Sequence, residues 1–222
     1  MLIILASRDD LAARWLADEW AADDAVVMTC EDLSSAGWEL YVGDVDRDAV
    51  SIGGRRASSR DVQGVLTLLP SVTPYELPAI VEEDREYVAQ EMMAFLLAWL
   101  DALGPRAMNR PTPFCLMGPH WRRERWVAAA RELGLQTAPT SATTVSLSAV
   151  TVVVDRAFSQ DGTAAPAARQ VAAVQLASAA GADLLTVHFT ADDEVANAGL
   201  WPDIRTAAVR SAVRDRLLRA AA

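Results

Sequence analysis

The sequence predicts an α/β fold in which a small doubly wound sheet is followed by a smaller α/β unit. Three observations predict it. Short continuous apolar runs of strand length alternate with helical patterns through the first hundred residues, as expected for buried parallel strands. One long amphipathic pattern, residues 81–103, is the strongest helical signal. A Thr- and Ser-rich stretch follows, after which strand and helix patterns alternate again.

Residues 2–5 form a buried-strand run, followed by Ser7-Arg8-Asp9-Asp10 and then Leu11, Trp15, Leu16 and Ala22 at helical spacing, so strand, capped turn and helix are expected in that order. Residues 25–30 supply a second strand. Residues 38–42 and 49–52 read as a hairpin-like pair, and 62–69 as a strand ended by Pro70. The helix over 81–103 places Val81, Val88, Met92, Phe95, Trp99 and Leu103 on one face. Glu82, Glu83, Asp84 and Glu86 suit its positive end, and Gly104-Pro105 stops it. A loop with three prolines leads through Met108 to Trp121 into a helix over 122–133. Residues 136–148 are the expected linker between a domain of residues 1–135 and a closing unit of residues 149–222. That unit reads as a strand (149–154), an Ala-rich helix (164–180) ended by Gly181, a strand (183–189) and a helix (203–219) carrying Val209, Val213 and Leu217 on one face.

Composition narrows the function classes. In 222 residues with 52% hydrophobic side chains a full core can form. No apolar run approaches the roughly 18 to 20 residues a membrane helix needs, and the first residues lack the basic start and the length of a signal peptide. Cys30 and Cys115, without metal-type spacing, are expected as free thiols, which fits the cytoplasm. A net charge of −10 argues against nucleic acid. The charge is unevenly placed: through Gly104 there are 20 Asp and Glu against 7 Arg, and from Pro105 onward 10 against 13. Every cation is Arg; there is no Lys.

Candidate sites each compete with a plainer role. The turn Ser7-Arg8-Asp9 lies where doubly wound sheets bind ligands, at the carboxyl end of the first strand, yet it has no glycine to let backbone approach a pyrophosphate. Helix capping is the alternative. Glu83, Asp84, Tyr87 and Glu91 suggest metal ligation, but the chain has only His120 and His188 to complete such a set, so a solvated face is expected and no metal site is assigned. Cys115 with His120 suggests a thiol nucleophile, against a packed small thiol; no catalytic residue is assigned. Asn109, Arg110, His120, Trp121, Arg122, Arg123 and Trp126 concentrate the side chains enriched at binding surfaces. The plain alternative places the tryptophans in the core and the arginines in surface ion pairs.

Phe95 to Leu100, then Met108-Asn109-Arg110-Pro111, then the Trp121 to Trp126 helix start resemble the N-terminal, pre-ATP-grasp part of RimK-like ATP-grasp ligases. Ala180 to Phe189 and Trp201-Pro202-Asp203 are similar to the closing segment of the same family. The resemblance implies a Rossmann-like front domain and, in a complete enzyme, two further lobes clamping ATP with Lys contacts and magnesium held by acidic and Asn side chains. Only residues 136–163 separate the two matching parts, residues 1–135 and 164–219, there is no Lys, and Asp192, Asp193, Glu194, Asn197 and Asp203 read as loop residues rather than metal ligands.

The function expected from this is a degenerate, non-catalytic ATP-grasp-like accessory protein without a cofactor, binding a protein or peptide partner in a natural-product or peptide-modification pathway. Self-association stays open. Two alternatives remain: an ATP- and Mg2+-dependent amide ligase completed by a second chain, and a small-molecule binder using the ends of the strands near Ser7 and Arg8.

Overall fold

The computed structural model describes residues 1–34, 36–41, 44, 47–139 and 147–220. Two compact units are present, Met1–Met117 with Leu217–Ala222, and Gly118–Arg216.

In the first unit, β1 (Leu2–Leu5) lies between β2 (Ala25–Met28) and β5 (Gly64–Thr67), parallel to both. All four β1 residues are fully buried, which is why the run is continuously apolar rather than alternating. Helix α1 (Leu11–Glu19) connects β1 to β2 and buries Ala13 and Leu16. Its N-cap is Asp10, whose Oδ1 accepts from the Ala13 N–H at 3.0 Å. Helix α3 (Arg85–Leu103) buries Leu96, Trp99, Leu100 and Leu103 in one core with Ile3, Leu5 and Val65 of the sheet. The Trp99 indole N–H reaches the buried Ser59 hydroxyl at 3.2 Å.

Several expected elements are placed differently. The second strand stops at Met28, because the Thr29 and Asp32 side chains form a capping box that starts a short helix, α2 (Cys30–Leu33). The strand β3 (Ala49–Ile52) pairs with β4 (Arg55–Ser58), and residues 38–41 form no strand. Of these, Glu39 makes an isolated bridge with Ala49, while Val42 lies outside the described residues. The turn between β3 and β4 is Gly53-Gly54, both at positive φ (56° and 74°), as a two-residue hairpin favours. Residues 82–84 are a 3-10 turn and α3 begins at Arg85, leaving Val81 59% exposed and off the buried stripe.

The second unit is a four-stranded antiparallel sheet in the order β7-β6-β8-β9: β6 (Ser148–Val153), β7 (Arg156–Ser159), β8 (Leu184–Phe189) and β9 (Val195–Gly199). Helix α5 (Ala167–Ala180) packs on β6, β7 and β8, and α4 (Arg123–Glu132) packs on β9. The latter packing groups α4 with the second unit, although in sequence it precedes the Thr- and Ser-rich stretch, of which residues 140–146 lie outside the described residues. Gly181 closes α5 in the left-handed region, φ 66°. Helix α6 (Ala207–Arg219) buries Val209, Val213 and Leu217. No described helix is long and apolar enough to cross a membrane.

Candidate functional site

The chain leaves the central strand β1 toward β2 on one side and later returns as β5 on the other. The segments that follow β1 and β5 therefore part at the carboxyl end of the sheet, where open α/β sheets bind ligands. Here the Ser7 hydroxyl donates to Glu76 Oε1 at 2.7 Å and the Arg8 N–H donates to Glu76 Oε2 at 3.2 Å. Glu76 is 5% exposed. A glycine-rich turn would offer that N–H to a phosphate; here a carboxylate occupies it, so the arrangement opposes an anionic ligand at the backbone.

Above this bond the Arg8 guanidinium lies over the Tyr75 ring, 4.8 Å from its centroid, and the Tyr75 hydroxyl donates to Asp9 Oδ2 at 2.6 Å. Arg8 also faces Asp9 at 3.6 Å and Glu31 at 3.9 Å. Tyr75 raises its pKa most, and Asp9 and Glu31 raise it further. Arg8 Nε is buried without a hydrogen-bond partner. Cys30, at the start of α2, is fully buried, and its thiol is pushed up to about 12 by burial first and then by Glu76 and Asp32, which keeps it protonated and unreactive. Of this cluster the sequence singled out Ser7, Arg8 and Asp9. It missed Glu31, Tyr75 and Glu76, and the available signal was polar side chains in Thr73-Pro74-Tyr75-Glu76 just beyond a buried strand.

The Arg- and Trp-rich candidates divide between the two units. In the first, Asn109 is 7% exposed and its amide donates to the Met117 carbonyl at 2.9 Å, so it holds its own loop together. Arg110 is exposed and pairs with Asp101 at 2.8 Å. Cys115 is 1% exposed, closed to any substrate of size. In the second unit Trp126 is 1% exposed, while Trp121 is half-buried with its ring 4.5 Å from that of Trp126. Arg125 covers the Trp121 ring at 4.8 Å and pairs with Glu132 at 3.1 Å. Arg123 is drawn inward, donating to the carbonyls of Ala196 at 3.0 Å and Pro139 at 3.3 Å. His120 and Arg122 are exposed, and Arg122 is the N-cap of α4 without a side-chain capping bond. Trp121, with Arg125 over it and His120 and Arg122 beside it in sequence, is thus what these residues present to solvent.

In the closing segment Asp193 pairs with Arg169 and Asp203 with Arg205, the latter at 2.8 Å, which holds the Asp203 carboxyl below the usual range. Asn197 Oδ1 is buried with no hydrogen-bond partner, across from His188 on β8. Among the described residues no three His, Cys, Asp or Glu stand together as a metal site. Two of these carboxylates, Asp193 and Asp203, face guanidinium groups, which leaves their oxygens less free to coordinate a metal.

No family model and no curated protein sequence matches the chain. Solved structures do match in shape. The fold is ATP-grasp-like. The macrocyclase MdnC of Microcystis aeruginosa, solved with its precursor peptide MdnA, superposes with a TM-score of 0.69 at 11% identity over 97% of this chain and 99% of its own. A RiPP-associated ATP-grasp ligase of Chryseobacterium gregarium, solved with ADP and a leader and core peptide, gives 0.68 at 9% identity over 98% and 96%. The ATP-grasp ligase PsnB with its minimal precursor gives 0.65 at 11% identity over 97% and 98%. At these identities the likeness concerns the fold.

Proposed function

We propose that this protein is a non-catalytic, ATP-grasp-like accessory protein that binds a protein or peptide partner in a natural-product or peptide-modification pathway. In this reading it derives from the RimK-like branch, works in the cytoplasm and has lost the nucleotide-binding lobes. The observation that carries the reading is the pairing of Asp193 with Arg169 and of Asp203 with Arg205 in a fold whose solved neighbours include a macrocyclase bound with its precursor peptide and an ATP-grasp ligase complexed with a minimal precursor. Carboxylates neutralised in this way make poor magnesium ligands, and the chain has no Lys to hold phosphates. The gap between Glu132 and Ser148 also leaves little room for a further lobe. On the second unit the partner surface is the half-buried Trp121 with the exposed Arg125, His120 and Arg122, which Arg123 and Trp126 support; on the first unit Arg110 is the exposed candidate and Asn109 holds its loop. The Ser7, Arg8 and Asp9 turn would serve a ligand only through the guanidinium of Arg8.

A rival reading, an amide ligase completed by a second chain, draws on neighbours solved with Mg and ADP. A thermal melt with and without magnesium and ATP separates the two. A ligand at about 100 times its dissociation constant adds roughly 2.7 kcal/mol, and each kcal/mol moves the midpoint by about 2 to 4 °C at this size. The expected result is no shift. A rise of several degrees overturns the non-catalytic reading.

A further inference from the structure

An apolar groove of about 350 Å³ runs between α2 and the first half of α3, lined by Leu33, Trp38, Tyr87, Val88, Met92 and Phe95 with Glu91 at its edge. Its floor is rigid. The Trp38 indole N–H donates to the Asp32 carbonyl at 2.9 Å, and its ring meets Phe95 at 5.5 Å and Trp99 at 5.7 Å, edge to face. Tyr87 stands 66% exposed at the mouth, and Met92 brings a side chain that adapts to what it meets. The groove is at the small end of ligand pockets, a size for one large side chain rather than a cofactor.

The charge around it is one-sided. Glu82, Glu83, Asp84, Glu86 and Glu91 are all exposed, and among the described residues none of them is in an ion pair. The only cation of α3, Arg85, turns its guanidinium to the carbonyls of Ile80 at 2.8 Å and Pro78 at 3.3 Å. Repulsion among these carboxylates is relieved by a cationic partner, and they repel anionic peptides and anionic lipid surfaces alike.

We propose that this groove docks a short basic segment of a partner polypeptide, which seats one large apolar side chain between Trp38 and α3 and sets its Arg or Lys against Glu91 and the carboxylates of the preceding turns. The inference does not rest on the ATP-grasp reading or on the surface around Trp121, and it stands if either fails.

The test is a random-peptide display selection on the immobilised full-length chain. The expected enriched sequences combine Arg or Lys with Phe, Trp or Leu. A synthetic copy should bind at least about tenfold more weakly to a Tyr87→Ala, Glu91→Lys variant, whose two sites are exposed and whose fold is checked by its melting curve. Binding should also weaken as salt rises from about 50 to 300 mM and should be unchanged by Trp121→Ala. The proposal is overturned if nothing is enriched, if the enriched peptides are not basic, or if they bind the variant equally well. It is also overturned if sedimentation finds a dimer of the wild-type chain that the same variant dissolves, since the occupant is then a second copy.

Discussion

The hydroxyl of Ser7 donates to Glu76 Oε1 across 2.7 Å, and this bond ties the turn after β1 to the segment after β5. Because Glu76 is buried and also accepts from the Arg8 N–H, removing it leaves two donors without an acceptor. Glu76→Ala should lower stability by about 1 to 3 kcal/mol, read as a fall in the urea midpoint at unchanged slope. Ser7→Ala should cost less, since the carboxylate keeps the backbone donor. An unchanged midpoint for Glu76→Ala would mean that the turn and the segment are not coupled.

Val154 sits at φ 60° in the tight turn between β6 and β7, a conformation that a β-branched residue reaches only under strain. The residue is 38% exposed, so packing offsets only part of the strain. Val154→Gly should raise the thermal midpoint by a few degrees, on the order of 1 kcal/mol. A lower midpoint would show that side-chain packing outweighs the backbone term.

The Cys30 thiol, ordinarily near 9.0, is raised to about 12 by burial and by Glu76 and Asp32. Between these two values the unfolded chain loses the thiol proton and the folded chain keeps it, so stability is full below pH 9 and falls as pH rises toward 12. In a Cys115→Ser background the native protein should resist a thiol reagent at pH 8, and modification should follow unfolding. Rapid labelling of the folded protein would place Cys30 in reach of solvent.

Burial holds the His188 imidazole below its ordinary 6.5. The unfolded chain then binds the proton first, and this contribution to stability, present above pH 6.5, is lost as pH falls through the folded value. His188→Gln should flatten the acid side of the stability profile between about pH 5 and 7. Parallel profiles for the two proteins would remove His188 as the cause.

Legibility in the sequence followed the source of each signal. Continuous burial made β1, β5 and β8 readable, and Gly181 and the Gly104-Pro105 stop marked helix ends correctly. The strands β4, β7 and β9 were not read. β4 is short and largely exposed, while in β9 Ala, Asn and Gly carry no strand preference; both hold their places by pairing with a neighbour. Residue type alone does not say whether an amide or guanidinium turns to solvent or to a buried carbonyl, as those of Asn109 and Arg123 do.

The sequence by itself determined the α/β class, the uneven charge, the absence of Lys and the long helix with its acidic start, since each depends on composition or on local period. Only the tertiary structure decided that Glu76 would occupy the Arg8 backbone, that Arg169 would face Asp193, and that Trp38 and α3 would enclose a groove. Those contacts join residues up to 69 positions apart, and no local pattern encodes them; they arise where the topology brings strand ends and helix faces together.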